Sequence, residues 1–318
     1  MSTYDVDWRG YWAAAPTPFD RTGALDEGGF RELLRLYLRH GVHGVLVNGT
    51  TGEWFSQSGD ERRQVAQIAV EELGGRIPVV IGCSSFKLDE TVRLGQHAKE
   101  IGADGMLTTP PPYAVPTDRE LLVFYQSVGD AVDLPLMVYN WPRGTNVTIG
   151  ADLARKIAEI DNVVALKDST ADVGQFIRTL EAVHDKVRVF GAFISQSGLA
   201  LLTGLGGHGT IDGGSLGSPF AVAFYEAVWR GDLVEAQAAA TRYKALMERL
   251  IHPDWAGVFG SPQAQLKASM NLLGQPGGYP RRPYLPVDDP EALASLRAIL
   301  SEAGLVPELV TAGAPDKG

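Results

Sequence analysis

Two side chains that can do covalent and proton-transfer chemistry stand at the ends of successive apolar segments. Lys167 closes the apolar run 163–166, and Tyr139 closes the preceding run. Burial disfavours a charged ammonium, so a lysine at the end of a buried strand can present a free amine as a nucleophile. Neighbouring parallel strands lie about 5 Å apart, which brings the Tyr139 hydroxyl within reach of that amine. The structural alternatives are an ion pair of Lys167 with Asp168 or Asp212, and simple packing of Tyr139.

Two loops carry further candidate groups. Gly49, Thr50, Thr51 and Gly52 follow the second apolar run. Small residues there let backbone N–H groups converge on an anion such as a 2-oxo acid carboxylate, and the threonine hydroxyls add donors. The structural alternative for these glycines is a tight turn between a strand and a helix, in which glycine is needed at positive φ. Three prolines precede Tyr113 and form a stiff loop, which either presents this tyrosine at a fixed place or serves as a surface connector.

The elements that must position these groups recur along the chain as eight apolar runs. They lie at 11–15, 42–47, 78–82, 105–108, 134–139, 163–167, 187–190 and 209–211. The runs are continuously apolar, as in strands buried on both faces, and the intervals between them suit one helix and two loops. In the first interval, apolar residues from Phe30 to Leu38 form one helical stripe after Asp26, a predicted N-cap.

These patterns predict an α/β fold, a (β/α)₈ barrel over residues 1–230. An open doubly wound sheet is the alternative. An open sheet of this kind often has a glycine-rich, dinucleotide-binding loop after its first strand. Here residues 15–18 are Ala-Pro-Thr-Pro, and prolines lack the N–H donors that a phosphate-binding loop needs, which argues against this alternative. The active site of such a barrel lies at the carboxyl ends of its strands, where the candidate side chains stand.

The pattern changes near residue 230. Helical stretches without intervening strands follow at 233–250, 264–273 and 290–303. We therefore predict a C-terminal helical extension over 231–310, packed on the barrel as one structural unit, and a flexible tail over 311–318.

Composition excludes several classes of protein. The 318 residues are 45% hydrophobic and 21% charged, which is enough for a large core, and the net charge of −10 argues against a nucleic-acid binder. A single cysteine, Cys83, excludes an intrachain disulfide. No stretch approaches the roughly 20 apolar residues of a membrane span, and no signal-peptide pattern opens the chain, so a cytoplasmic location is expected.

The six histidines lack metal-ligand spacing, so no metal is expected. His208 is expected near the catalytic face with a structural role.

Several motifs, in their order and spacing, resemble the dihydrodipicolinate synthase and N-acetylneuraminate lyase family. They are Gly49-Thr50-Thr51-Gly52-Glu53, Pro112-Tyr113, Tyr139-Asn140-Trp141-Pro142 and Lys167-Asp168-Ser169-Thr170. The resemblance extends from about Gly10 to Gly304, and the segment 206–219 resembles the family's last strand and loop.

The resemblance implies a role for each matching residue. Lys167 forms a Schiff base with the 2-oxo group, and Tyr139 carries protons to and from the imine and the substrate hydroxyl. Thr50 and Thr51 bind the pyruvyl carboxylate, and Thr50 also relays protons. Tyr113 reaches the neighbouring subunit's site in many members, which implies a homo-oligomer, a dimer or a tetramer. No cofactor is implied, because the imine itself serves as the electron sink.

Gly49, Gly52, Ile211 and Arg143 complete the predicted substrate-binding residues. The implied activity is that of a lyase that cleaves or forms a 4-hydroxy-2-oxo acid, with pyruvate as the enamine component and an aldehyde or imine as its partner. The alternatives are 4-hydroxy-tetrahydrodipicolinate synthase, a dehydratase or aldolase for 2-oxo-3-deoxy sugar acids, and a non-catalytic barrel that binds a 2-oxo acid and regulates a partner.

The sequence departs from members that make the lysine precursor. They carry Ser-Arg-Thr-Gly after Tyr-Asn-x-Pro, whereas Arg143 stands one residue early here, and they have a second tyrosine where Pro112 stands. Trp54, Phe55 and Trp141 predict an aromatic-lined site and hence a less charged aldehyde partner, although Trp54 has the alternative of packing on a helix.

Overall fold

The computed structural model describes residues 5–306 and contains a closed barrel of eight parallel strands. These are β1 Gly10–Ala14, β2 Gly44–Val47, β3 Val79–Gly82, β4 Gly105–Thr108, β5 Leu136–Asn140, β6 Val163–Asp168, β7 Arg188–Phe190 and β8 Gly209–Gly213. The closing pair, β1 with β8, runs in parallel from Gly10 opposite Gly209 to Ala14 opposite Gly213. The predicted (β/α)₈ barrel is therefore confirmed, and the open-sheet alternative is wrong.

Side chains from the strands alternate between two cores. The inner cluster fills the barrel, where the rings of Trp12 and Phe190 meet edge to face with centroids 5.2 Å apart. Trp8 closes the amino-terminal end beside Gly105, the first residue of β4. A Cβ on Gly44 would lie 2.3 Å from a ring carbon of Trp12, so the first position of β2 has no room for a side chain. This end of the barrel is thus filled, and the free space lies at the opposite end.

The outer core joins the strands to the helices around them. These helices are α1 Glu27–Arg39, α2 Gly59–Leu73, α3 Leu88–Glu100, α4 Asp118–Ala131, α5 Pro142–Thr145, α6 Ala151–Ile157, α7 Val173–Val183, α8 Gln196–Leu205 and α9 Ser218–Arg230. Asp26 caps α1 as predicted, by accepting from the backbone N–H of Gly29 at 2.9 Å. Capping boxes begin α2, with Ser58 and Glu61, and α4, with Thr117 and Glu120.

Three further helices follow the barrel, at the positions where helical stretches were predicted. They are α10 Leu233–Met247, α11 Pro262–Leu272 and α12 Pro290–Glu302. The end of the predicted extension, 307–310, and the predicted flexible tail, 311–318, lie outside the described residues. Between residues 5 and 306, no helix is both long and apolar enough to cross a bilayer.

Candidate active site

A cavity of about 590 Å³ opens at the carboxyl ends of the strands. The barrel contributes Ala14, Tyr139, Lys167 and Ile211 to its wall, and the segment that joins α10 to α11 covers one side. The cavity therefore lies where the sequence analysis expected the active site.

Lys167 and Tyr139 are direct neighbours in this cavity. They are register partners across β5 and β6, and Lys167 Nζ lies 4.1 Å from the centroid of the Tyr139 ring. Both are buried, with 9% and 4% of their surfaces exposed. The ion pairs considered for Lys167 do not form, because Asp168 bonds to Asn140 and the Thr170 amide, and Asp212 accepts from the Tyr243 hydroxyl.

Thr50 and Thr51 line the cavity, whereas Gly49 and Gly52 do not. Positive φ in this loop falls at Asn48 (54°) and Glu53 (56°), so the alternative that the glycines supply it is wrong. Instead, a Cβ on Gly52 would lie 3.1 Å from the carbonyl oxygen of Ala15. These glycines therefore allow close packing of the backbone behind the threonines.

Helix α11 holds this loop through two side chains one turn apart. Gln263 Nε2 donates to the carbonyl oxygen of Thr50 at 3.1 Å, and Lys267 Nζ forms an ion pair with Glu53. Lys267 and Glu53 have no exposed surface. Burial lowers the pKa of Lys267 to about 8, with Glu53 opposing the shift. Sequence reasoning missed these contacts, for which the only signal was the four-residue spacing of Gln263 and Lys267.

Next to Lys167 and Tyr139, Asp168 and Asn140 join the ends of β6 and β5. Asp168 Oδ1 accepts from Asn140 Nδ2 and from the Thr170 amide, both at 2.9 Å, while Asn140 Oδ1 accepts from the Ile149 amide at 3.0 Å. Burial raises the pKa of Asp168 to about 6, and its Oδ2 atom has no partner among the described residues. Asn140 and Asp168 form the register pair next to Tyr139 and Lys167, and their side-chain bond adds to the backbone ladder of β5 and β6.

One wall of the cavity is aromatic. Trp141 stacks on Tyr139 with ring centroids 6.0 Å apart and planes 20° apart, and Trp255 meets Trp141 at 6.3 Å and 66°. The prediction that Trp54 and Phe55 line the site is wrong. Both lie outside the cavity wall, and their rings contact Phe86 and Tyr284, respectively. Sequence reasoning found Trp141 and missed Trp255, which lies far along the chain in a loop without a motif.

Two other predicted site residues stand apart from the cavity. Arg143 is not part of its wall, and Arg143 Nη1 lies 2.6 Å from a carboxylate oxygen of Asp254. This pairing ties α5 to the segment before α11. Tyr113 is 87% exposed, has φ of 84°, and lies outside the cavity of its own chain.

The prediction that His208 lies near the catalytic face is wrong. It immediately precedes β8 at the amino-terminal end of the barrel, where its Nδ1 accepts from the Val189 amide at 3.0 Å. The histidine of the cavity wall is His252. Over residues 5–306, His, Cys, Asp and Glu side chains form no group of three or more that could hold a metal ion.

Comparisons with known proteins identify the family of this chain. The model of the dihydrodipicolinate synthetase family matches residues 7–303. An uncharacterized DapA-like lyase of Rhizobium meliloti is 36% identical over 288 residues, which cover 89% of this chain and 92% of that protein. A 4-hydroxy-tetrahydrodipicolinate synthase of Rhodopseudomonas palustris is 33% identical over 301 residues, which cover 94% of this chain and 98% of the relative.

Solved structures show the same fold. Dihydrodipicolinate synthase from Thermotoga maritima aligns with a TM-score of 0.85 at 29% identity, over 94% of this chain and all of that one. YagE of Escherichia coli K12, a prophage protein of the dihydrodipicolinic acid synthase family solved with pyruvate, aligns with a TM-score of 0.84 at 25% identity over 94% and 100% of the two chains. The chain therefore belongs to the dihydrodipicolinate synthetase family and is a lyase of the class I aldolase type.

Proposed function

We propose that this lyase joins a 2-oxo acid to Lys167 as an imine and makes or breaks the C3–C4 bond of a 4-hydroxy-2-oxo acid, with pyruvate as the enamine component. One observation carries the proposal: the buried Lys167 amine lies against the Tyr139 ring, inside the cavity that Thr50 and Thr51 line. The first step needs a lysine amine inside the substrate cavity, and Lys167 is placed there.

The chemistry proceeds through covalent steps that balance without a cofactor. The Lys167 amine attacks the 2-oxo carbon, and loss of water gives a protonated imine. This cation accepts the electrons of the C3–C4 bond while the C4 hydroxyl loses its proton, which releases an aldehyde and leaves an enamine. Protonation at C3 and hydrolysis then free pyruvate and the amine. Tyr139 is proposed to carry the protons, and Thr50 and Thr51 to bind the carboxylate.

We also propose that the enzyme is a homo-oligomer, a dimer or tetramer, in which Tyr113 enters the partner subunit's site. The support is an exposed tyrosine held by a strained backbone: φ of 84° is costly for a non-glycine residue and persists where the surroundings enforce it. Phe55 and Phe86 flank Trp54 and expose 39% and 63% of their surfaces, which is typical of a contact face. Sedimentation of wild type and of Phe86→Glu tests this, with a monomeric wild type as the contrary result.

A second candidate is 4-hydroxy-tetrahydrodipicolinate synthase, which the names of several relatives favour. Against it stands Arg143, whose guanidinium is occupied by Asp254 rather than turned to the cavity, so that it does not offer a site for a second carboxylate. The dehydratase alternative uses the same imine and differs in the product. Membership of a lyase family argues against the non-catalytic binding barrel.

Reductive trapping tests the proposal. The protein is incubated with pyruvate and sodium borohydride, and its intact mass and peptide map are then measured. We expect one adduct on Lys167, which is lost in Lys167→Ala. Lys244→Ala is the matched control, because Lys244 also lines the cavity but is ion-paired with Glu248, and it should keep the adduct. No adduct with pyruvate or with other 2-oxo acids would refute the Schiff-base mechanism.

A further inference from the structure

The aromatic wall begins at the reacting amine and runs outward. From Lys167, the contacts pass to the Tyr139 ring at 4.1 Å, then to Trp141 and to Trp255. Trp141 and Trp255 both line the cavity. A substrate bonded to Lys167 would therefore project the rest of its chain along these two indole rings.

Trp255 is held there at an energetic cost. Its φ of 69° is a genuine outlier for so bulky a residue, and such strain persists where neighbouring contacts enforce it. Two contacts hold this backbone conformation. The Trp255 amide donates to the His252 carbonyl at 2.8 Å, and Arg143 forms an ion pair with the neighbouring Asp254. The indole Nε1–H is buried and lacks an acceptor among the described residues. A ligand can meet a buried donor of this kind, and the face of an aromatic ring is a weak acceptor for an N–H group.

The charges around the outer cavity disfavour an anionic guest. Within residues 5–306, its wall has two lysines and no arginine. One is Lys167, and the other, Lys244, lies 3.4 Å from a carboxylate oxygen of Glu248. Apolar side chains make up most of the remaining surface, among them Val173, Ile194, Leu216, Met247 and Ile251. A carboxylate would lose its water there without gaining an unpaired cation as its partner.

We propose that this outer half of the cavity is the acceptor subsite and that it takes an aldehyde with a planar apolar substituent, an aromatic ring. The inference rests on the proposed function, because the acceptor reacts with the enamine on Lys167. In the synthetic direction, the enamine carbon attacks the aldehyde carbon and the aldehyde oxygen takes up a proton. Water then hydrolyses the imine, so that pyruvate and benzaldehyde give 4-hydroxy-2-oxo-4-phenylbutanoate.

The test compares three aldehydes with pyruvate held at saturation: benzaldehyde, glyceraldehyde and succinic semialdehyde. Product formation is measured by liquid chromatography and mass spectrometry, and kcat/KM is obtained for each aldehyde. We expect benzaldehyde to be used about tenfold more efficiently than either other compound, since aromatic contacts favour a ring over a chain of similar size. Higher efficiency with glyceraldehyde or succinic semialdehyde would overturn the inference.

Variants of Trp255 test whether its ring contacts the aldehyde. Trp255→Leu should lower kcat/KM for benzaldehyde by about tenfold and for glyceraldehyde by much less, and Trp255→Phe should restore most of the loss because it restores a ring. Trp229→Leu is the control, since Trp229 packs on His43 at the opposite end of the barrel. An equal loss with all three aldehydes would show a structural role and refute the subsite. Absence of the borohydride adduct refutes the proposed function itself, whereas an adduct without preference for the aromatic aldehyde refutes only this inference.

Discussion

Replacing Lys267 by methionine tests whether helix α11 fixes the loop that carries the candidate carboxylate-binding threonines. Lys267 Nζ pairs with Glu53 and donates to the carbonyl oxygens of Thr17 at 2.7 Å and Tyr279 at 2.9 Å. Methionine keeps an unbranched apolar stem, so the main loss is the ammonium group. The Glu53 carboxylate, fully buried, would then keep the Arg281 amide at 3.1 Å as its donor.

The burial of the ion pair sets the loss of unfolding free energy that we expect for Lys267→Met. Removing one partner of a buried ion pair costs about 3–5 kcal/mol, because the other charge stays buried without compensation. Burial lowers the pKa of Lys267 to about 8 in spite of Glu53, so desolvation of the ammonium outweighs the attraction. Burying the Lys267 ammonium beside Glu53 therefore contributes little net stability. The double variant Lys267→Met/Glu53→Gln should therefore recover the part of the loss that comes from the unpaired Glu53 charge, and keep the part that comes from the carbonyl oxygens of Thr17 and Tyr279.

Urea unfolding at pH 7, followed by tryptophan fluorescence, measures these differences. Lys186→Met is the matched control, because Lys186 pairs with Glu159 at the surface, where their side chains are 38% and 63% exposed. Loss of such a pair costs about 0–1 kcal/mol. The reasoning fails if Lys267→Met is no more destabilising than Lys186→Met, or if the double variant is as unstable as the two single losses added together.

Three further predictions follow from other contacts. Burial raises the pKa of Asp168 from 3.8 to about 6, so its contribution to stability is present below pH 4 and is lost as the pH rises through 6. Asp168→Asn should therefore stabilise the protein by up to about 3 kcal/mol at pH 8 and change little at pH 4, as measured by urea unfolding at both values. Gly44→Ala should destabilise the barrel by about 1–3 kcal/mol or more, because its Cβ would meet the Trp12 ring at 2.3 Å, whereas Gly150→Ala, with open space around its Cβ, should not. Gln263→Met removes the donor to the loop after β2 and should slow reductive trapping of pyruvate several-fold while costing only about 1 kcal/mol in urea unfolding.

The barrel was predictable because its strands are buried on both faces. Such strands leave continuous apolar runs, and each predicted run overlaps one strand of the structure. Lys167 and Tyr139 were found for the same reason, since each polar side chain ends an apolar run at the face where barrels bind ligands. His208 shows the limit of this reasoning, because a residue that precedes a strand lies at the other end of the barrel.

The remaining features depend on contacts between residues far apart in the sequence. Arg143 meets Asp254 across 111 positions, and Lys267 meets Glu53 across 214. Neither periodicity nor local composition specifies such partners, so Arg143 was interpreted as a substrate ligand from its place beside a motif. Trp255 was missed because its loop follows no strand of the barrel.

The cavity wall comes from two parts of the chain, and this bears on how substrate specificity changes within the family. Lys167, Tyr139 and Thr50 come from the strands and loops of the barrel, whereas Trp255 and Met247 come from the C-terminal segment. A substitution at Trp255 can therefore alter the outer wall without moving the groups proposed to form the imine. Identity of 33% to a named synthase over nearly the whole chain is then compatible with a different acceptor. The search for the acceptor should start from Trp141 and Trp255, because the ion pair of Arg143 with Asp254 joins the segments that carry these two rings.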